Sequence, residues 1–311
     1  MKVPEIMWQS RWLALPDLFR GGVWMLLYAA TFAAMGAMVR LLGVELPTIQ
    51  IIFFRGLLGL LWLLPYLLWN RGADMVTGNF RLHLWRGLAS MITMSTTFFA
   101  YANLPLADVV ALSFTTPLYL MFFAVWILKE RLSRAHLLAA LVGFGGILLM
   151  VRPGLAFDPM ILVAIVSPLL IALVQLLIKH MTRSEGIVTI VFWFSVSITL
   201  FSAPFAAYAW QPVPDTLWPL LLAMGGMATL VQITISRAYL LADAVAVTPF
   251  DYSRLLFAGI LGFFLFDEHP DAYGLAGSAA ILAANFFLMR LAWKAKASLP
   301  ANSPAPRRQD P

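Results

Sequence analysis

The chain has 311 residues, 61% hydrophobic and 12% charged, against roughly 25% charged residues in a soluble domain, so lipid rather than water must solvate most of it. It contains no cysteine, which excludes disulfides, thiolate chemistry and cysteine metal sites. The net charge of +6 fits basic cytoplasmic loops of a membrane protein rather than a nucleic-acid surface.

Residues 1–20 show neither the apolar core nor the small-residue cleavage site of a signal peptide, and are expected to remain as a cytoplasmic tail. Ten candidate membrane spans follow, at about 21–43, 47–69, 82–102, 107–128, 135–152, 159–179, 186–209, 217–240, 242–266 and 272–292. Turn signals such as Leu46-Pro47, Asn103-Leu104-Pro105 and Gln211-Pro212-Val213-Pro214 separate them. Residues 297–311 are polar and proline-rich and read as a disordered cytoplasmic tail.

Basic residues set the expected orientation. With the N-terminus inside, the cytoplasmic side collects most of the Lys and Arg, including Arg86, Lys129, Arg131, Arg134 and Lys179. The opposite side keeps only Arg40 and Arg152, while Arg55 and Arg254 lie within spans. The predicted location is the cell inner membrane, multi-pass, with both termini cytoplasmic.

The two halves repeat. Phe53, Phe54, Arg55 and Pro65 recur as Phe192, Trp193, Phe194 and Pro204. Ala107 and Asp108 recur as Ala242 and Asp243, and Glu130 and Arg152 as Glu268 and Arg290. Five spans per half is an odd number, so the second half is expected to insert upside down. Inverted repeats of this kind build secondary transporters, with solute held near the midplane.

Buried charge marks the candidate site. Asp251 lies about 12 Å along a helix from Asp243, deep in a hydrocarbon core about 30 Å thick. Charges at that depth face a bundle interior or a wet cavity. Asp251 and Arg254 are three residues apart and share a face. They either neutralise each other or meet solute or a proton, and Tyr252 stands between them.

Arg55 sits about eight residues into its span, too deep to snorkel easily. Its fork of donors suits a carboxylate or phosphate, or alternatively clamps helix-end carbonyls or Asp251. Polar candidates for the cavity wall are Gln232, Gln175, Thr93, Thr97 and Thr116, with Trp24 and Tyr28 as a stacking wall. Such residues often only bond across helices. Ser90, Ser113, Thr229 and Ser236 belong to the same polar set, and Asn285 is expected to pack structurally. Trp210, Trp218 and Trp293 read as interfacial anchors. Gly143, Gly145 and Gly146, with Gly274 and Gly277, permit close helix packing, within the fold or in a homodimer.

Two stretches carry a family resemblance. NLPLADVVALSFTTPLYLMFFAVWILKERLS in the first half and RAYLLADAVAVTPFDYSRLLFAGILGFFLFDEHPD in the second resemble the two EamA repeats of the drug/metabolite transporter superfamily. The shared pattern is a small-residue start, a mid-helix proline and a closing acid: Ala107, Pro117, Glu130, then Ala242, Pro249, Glu268. The resemblance implies an all-α polytopic membrane protein of ten helices. It also implies repeats at 21–152 and 159–292, with a cavity bordered by helices 1–4 and 6–9 and helices 5 and 10 to the side. Phe194 where the first repeat has Arg55 departs from symmetry.

The expected activity is secondary transport of a small polar organic metabolite, such as an amino-acid derivative, vitamin or nucleoside-like solute. A carboxylate on the solute and a proton as coupling ion, or exchange, complete the expectation. Neither cofactor nor metal is expected, since no H-E-x-x-H pair occurs among the histidines. The competing classes are a membrane-embedded lipid-modifying enzyme and a passive channel. An enzyme needs a reactive cluster at the interface, and no G-x-S-x-G or Walker A motif is present.

Overall fold

The computed structural model describes residue 12 and residues 15–70, 72, 75–103, 113–151, 161–266 and 272–297, and among these there are helices but no strands. The elements are α1 (Asp17–Leu42), α2 (Thr48–Trp69), α3 (Phe80–Asn103), α4 (Thr116–Ile127), α5 (Arg134–Val151) and α6 (Ile161–Met181). They continue with α7 (Ile187–Tyr208), α8 (Trp218–Leu241), α9 (Ser253–Phe266) and α10 (Ala272–Ala297). Arg71, Ala107, Asp108, Arg152, Glu268, His269 and the distal parts of both tails lie outside the described residues.

Five stretches are long and apolar enough to cross a bilayer: Asp17–Leu42, Thr48–Trp69, Ile187–Tyr208, Asp215–Leu241 and Ala244–Leu265. Shorter apolar runs lie in α4, α5, α6 and α10. The chain is thus a multi-pass membrane protein. α3 is the polar exception, because it carries Arg81, His83, Arg86 and a run of serines and threonines.

Helix starts follow local chemistry. Pro16 and Pro47 immediately precede α1 and α2, where extended backbone is needed. Asp17 sits in the first turn of α1, where a carboxylate meets the positive end of the helix dipole, and pairs with Arg20.

Two prolines correct the sequence reading. Pro117 is at the first turn of α4 rather than mid-helix in the described residues, a position that does not need its missing N–H. The span predicted at 242–266 is not one continuous α-helix. A short helix, Ala244–Val247, passes into a 3₁₀ turn, Thr248–Tyr252, before α9 begins. Pro249 has no N–H to return to the preceding turn, so the regular ladder cannot continue through it. The Thr248 hydroxyl donates to the Ala244 carbonyl at 2.6 Å within this break.

Packing relates the halves. α1 packs on α8 as α3 does on α6, and α2 packs on α8 as α3 does on α7. α1 meets α9 as α4 meets α6. α2 with α7, and α5 with α10, are each other's counterparts. Exchanging each helix for the one five places on therefore maps these pairs onto one another.

The close contacts obey the same exchange. A β-carbon on Gly87 would stand 2.3 Å from that of Ser197, and one on Gly225 would stand 2.5 Å from that of Leu58. Gly87 and Gly225 occupy matching repeat positions, as do Leu58 and Ser197. Only glycine lets these backbones approach so closely.

The exterior is apolar. Trp62, Tyr66, Phe122, Trp126, Phe264 and Phe286 are all exposed, as lipid-facing side chains are. Inside, Gln50, Arg86, Thr116, Gln175, Lys179, Gln232 and Asp251 are buried. Trp210 and Trp218, expected as anchors, turn their rings onto Phe54. Fully buried Gln50 exchanges two hydrogen bonds with the Gln211 backbone, at 2.8 and 3.0 Å, tying α2 to the α7–α8 connection.

Candidate functional site

A cavity of about 640 Å³ opens between the halves. α1 contributes Tyr28 and Phe32, α2 Arg55, and α3 Arg86, Ser90, Thr93 and Thr97. Gln175 comes from α6, Phe194 from α7, Gln232 from α8 and Arg254 from α9. Exposed Arg40 and neighbouring Thr48 lie at the end where α1 turns into α2. Aliphatic side chains such as Ile51, Ile171 and Val231 fill the intervals.

Arg55 reaches this space from the middle of α2. Its guanidinium lies 5.8 Å from the centre of the Phe194 ring, and its Nε is buried without a hydrogen-bond partner. Among the described residues it has no ion-pair partner. Neither helix-end carbonyls nor Asp251 holds it, which leaves its donors for a solute.

Arg86, near one end of the span predicted at 82–102, counts toward the cytoplasmic side in the sequence reading. It is 1% exposed and lines the cavity instead. It donates to the Ile190 carbonyl at 3.1 Å and to Gln232 Oε1 at 2.8 Å, and lies 4.5 Å from the Phe194 ring centre. The contact of α3 with α7 at Gly87 draws this end of α3 inward. Arg86, Ser90, Thr93 and Thr97 form one helical stripe, and that spacing is the sequence signal that could have found it. Ser90, Thr93 and Thr97 donate to carbonyls one turn back in α3, and the Thr97 hydroxyl also bonds the Ser167 hydroxyl on α6, so Ser90 and Thr93 are the two that keep lone pairs for the cavity.

Arg254 and Asp251 approach to 3.7 Å. Arg254 also lies over Phe32 at 4.7 Å and Phe114 at 5.0 Å. Asp251 is buried behind it, with Oδ1 lacking a hydrogen-bond partner. Gln175 accepts from the Tyr239 hydroxyl at 3.1 Å.

Of the residues singled out from sequence, the cavity brings together Arg55, Arg254, Gln232, Gln175, Tyr28, Thr93 and Thr97. Four others stand off its wall. Asp251 touches it only through Arg254, and Tyr252 packs beside Phe114. Trp24 lies under Arg237 at 6.0 Å, and the Thr116 hydroxyl donates to the Ser113 carbonyl at 2.7 Å. The side chain of Asn285 is outside the described residues.

A second cluster of buried charge lies at the break in the ninth span. Lys179 Nζ donates to the carbonyls of Tyr239 at 2.8 Å and Ala242 at 2.7 Å, and approaches Asp243 at 3.9 Å. Glu130 Oε2 accepts from the Val245 N–H at 3.0 Å. These charges cap the end of α8 and the start of the short helix that follows it.

An apolar helical exterior around a cationic, hydroxyl-lined interior defines a membrane protein that handles small solutes. The chain belongs to the EamA-like transporter family, whose sequence pattern matches residues 19–152 and again 158–290. It is 31% identical over 282 residues to the pseudopaline exporter CntI of Pseudomonas aeruginosa, covering 88% of this chain and 98% of that one. It is 26% identical over 277 residues to the S-adenosylmethionine uptake transporter of Rickettsia felis, covering 89% and 94%. With the riboflavin transporter of Brucella anthropi it shares 29% over 256 residues, covering 79% and 89%. A crystal structure at 17% identity superposes with a TM-score of 0.75 over 90% of this chain and 98% of that one, which establishes the likeness of fold. Family and relatives point to a small-metabolite transporter.

Proposed function

We propose that the protein is a secondary transporter of a small, polar, carboxylate-bearing organic metabolite, working by alternating access between two inverted five-helix repeats. The observation that carries this reading is Arg55, a deep guanidinium facing the cavity with no hydrogen bond or ion pair among the described residues. An unpartnered charge in a low-dielectric interior is costly, and an anionic solute group relieves that cost. The exchange of packed helix pairs between the halves supports the repeat relation.

Both termini are cytoplasmic in this reading, and the membrane is the inner membrane. Arg86 and Lys179 are buried and leave the cytoplasmic-side count, yet the remaining bias of basic residues keeps the same sign. The cavity end beside Arg40 and Thr48 then faces outward. The Lys179 and Glu130 contacts then lie toward the cytoplasm. The relatives are named for different solutes, one for uptake and one for export, so the wall of this cavity is the better guide to its solute.

Flux into proteoliposomes, with and without an imposed pH gradient, tests the reading. Saturable flux that supports counterflow is expected. Acceleration by the gradient assigns proton coupling, and flux indifferent to it assigns exchange. Non-saturable flux without counterflow would show a channel.

A further inference from the structure

Resting on the transporter reading, we infer that the cavity takes a solute with two anionic groups, bound by Arg55 and Arg86 beside the Phe194 ring. Both guanidiniums address that one ring, at 5.8 and 4.5 Å from its centre. Two like charges gathered at one ring in a low-dielectric interior repel each other. Arg86 is fixed by the Ile190 carbonyl and Gln232, which are neutral acceptors that hold its position without cancelling its charge. Arg55 is fixed by neither hydrogen bond nor ion pair among the described residues. The carboxylate of Asp251 stands 3.7 Å from Arg254 and is matched to that arginine.

The α2–α3–α7 wall therefore carries two uncompensated positive charges. One anionic group neutralises half of that charge and leaves the other half buried. Two groups neutralise both, as does a phosphate monoester. Arg86 has donors to spare, since a guanidinium carries five N–H groups, two of them are in use here, and its Nε is buried without a partner. A phenyl ring at Phe194, within reach of both guanidiniums, fits the break in repeat symmetry at Arg55. A third arginine at that point would add repulsion, whereas a ring face attracts both guanidiniums.

Calorimetric titration of the full-length protein in lipid nanodiscs tests this. The probes are short aliphatic dicarboxylates, their half-amides, and glycerol phosphate. The better dianion should bind at least about tenfold more tightly than the matched half-amide, the cost of one lost charged hydrogen bond. Whichever of dicarboxylate and phosphate monoester binds more tightly identifies the chemistry. Arg55→Gln and Arg86→Gln should each erase the preference, and Arg86→Lys should retain it. If Arg86→Gln lowers the melting temperature of the empty protein, Arg55→Gln carries the test, because that side chain holds no hydrogen bond. Equal affinity for diacid and half-amide, or no binding by any dianion, overturns the inference. Proteoliposome flux separates this from the transporter reading. Dianion binding without flux refutes transport and leaves the two-anion site. Flux of half-amides without preference for diacids refutes the two-anion site and leaves transport.

Discussion

Two clusters of buried charge differ in how they are satisfied. At the break in the ninth span, Lys179 faces two carbonyls, and Glu130 receives a backbone N–H on one oxygen while its other oxygen has no hydrogen-bond partner, so each charged group has at least one partner within 3.0 Å. In the cavity, Arg55 has a ring face and no hydrogen bond. The first arrangement is what a fold needs to hold an interrupted helix together. The second lowers stability unless something outside the chain completes it. Buried charge of the same sign thus serves structure in one place and binding in the other, and the partners distinguish the two.

Substitution should separate the clusters. Arg55→Ala should reduce transport by about 100-fold or more, as expected for a bidentate contact to an anion. The empty variant should melt at or above the wild type, because a costly unpaired charge has gone; a lower melting temperature would show that Arg55 holds the fold. Lys179→Met should do the opposite. It leaves the Tyr239 and Ala242 carbonyls without their donor and should cost about 2–4 kcal/mol of stability, read by denaturant unfolding in mixed micelles. Unchanged unfolding would remove Lys179 from its capping role.

Gly225→Ala should cost about 1–3 kcal/mol by forcing α8 away from Leu58 on α2, with transport falling only as folded protein falls. An unaltered melt would mean the helices separate freely at that contact. The smallest effect should come from Glu130→Gln, which keeps an acceptor for the Val245 N–H and loses only its charge. A loss of about 1 kcal/mol is expected, with Glu130→Ala costing more. Equal costs for the two would show that charge rather than acceptance matters there.

Depth in a span was legible from sequence, and it pointed to Arg55, Arg254 and Gln232, which line the cavity. Position near a span end was misleading. Arg86 and Lys179, near the ends of their predicted spans, counted toward the basic cytoplasmic side, yet tertiary contacts bury both: α3 meets α7 closely at Gly87, and Lys179 folds back over the end of α8. The break at Pro249 was visible as a proline, but its 3₁₀ form depends on neighbours that spacing does not encode. Asp251 stood out as strongly as Arg55 in sequence, and packing set it behind Arg254. Hydropathy registers how deep a residue lies, whereas the facing of a side chain is decided by which helices meet, and at what distance.

Counterflow exchange by Arg55→Ala in proteoliposomes, run beside the thermal melt of the same empty protein, tests the central claim most directly. The account predicts exchange lost in a variant that melts no lower than the wild type. Normal exchange by that well-folded variant would contradict it, and would show that the anion site lies elsewhere.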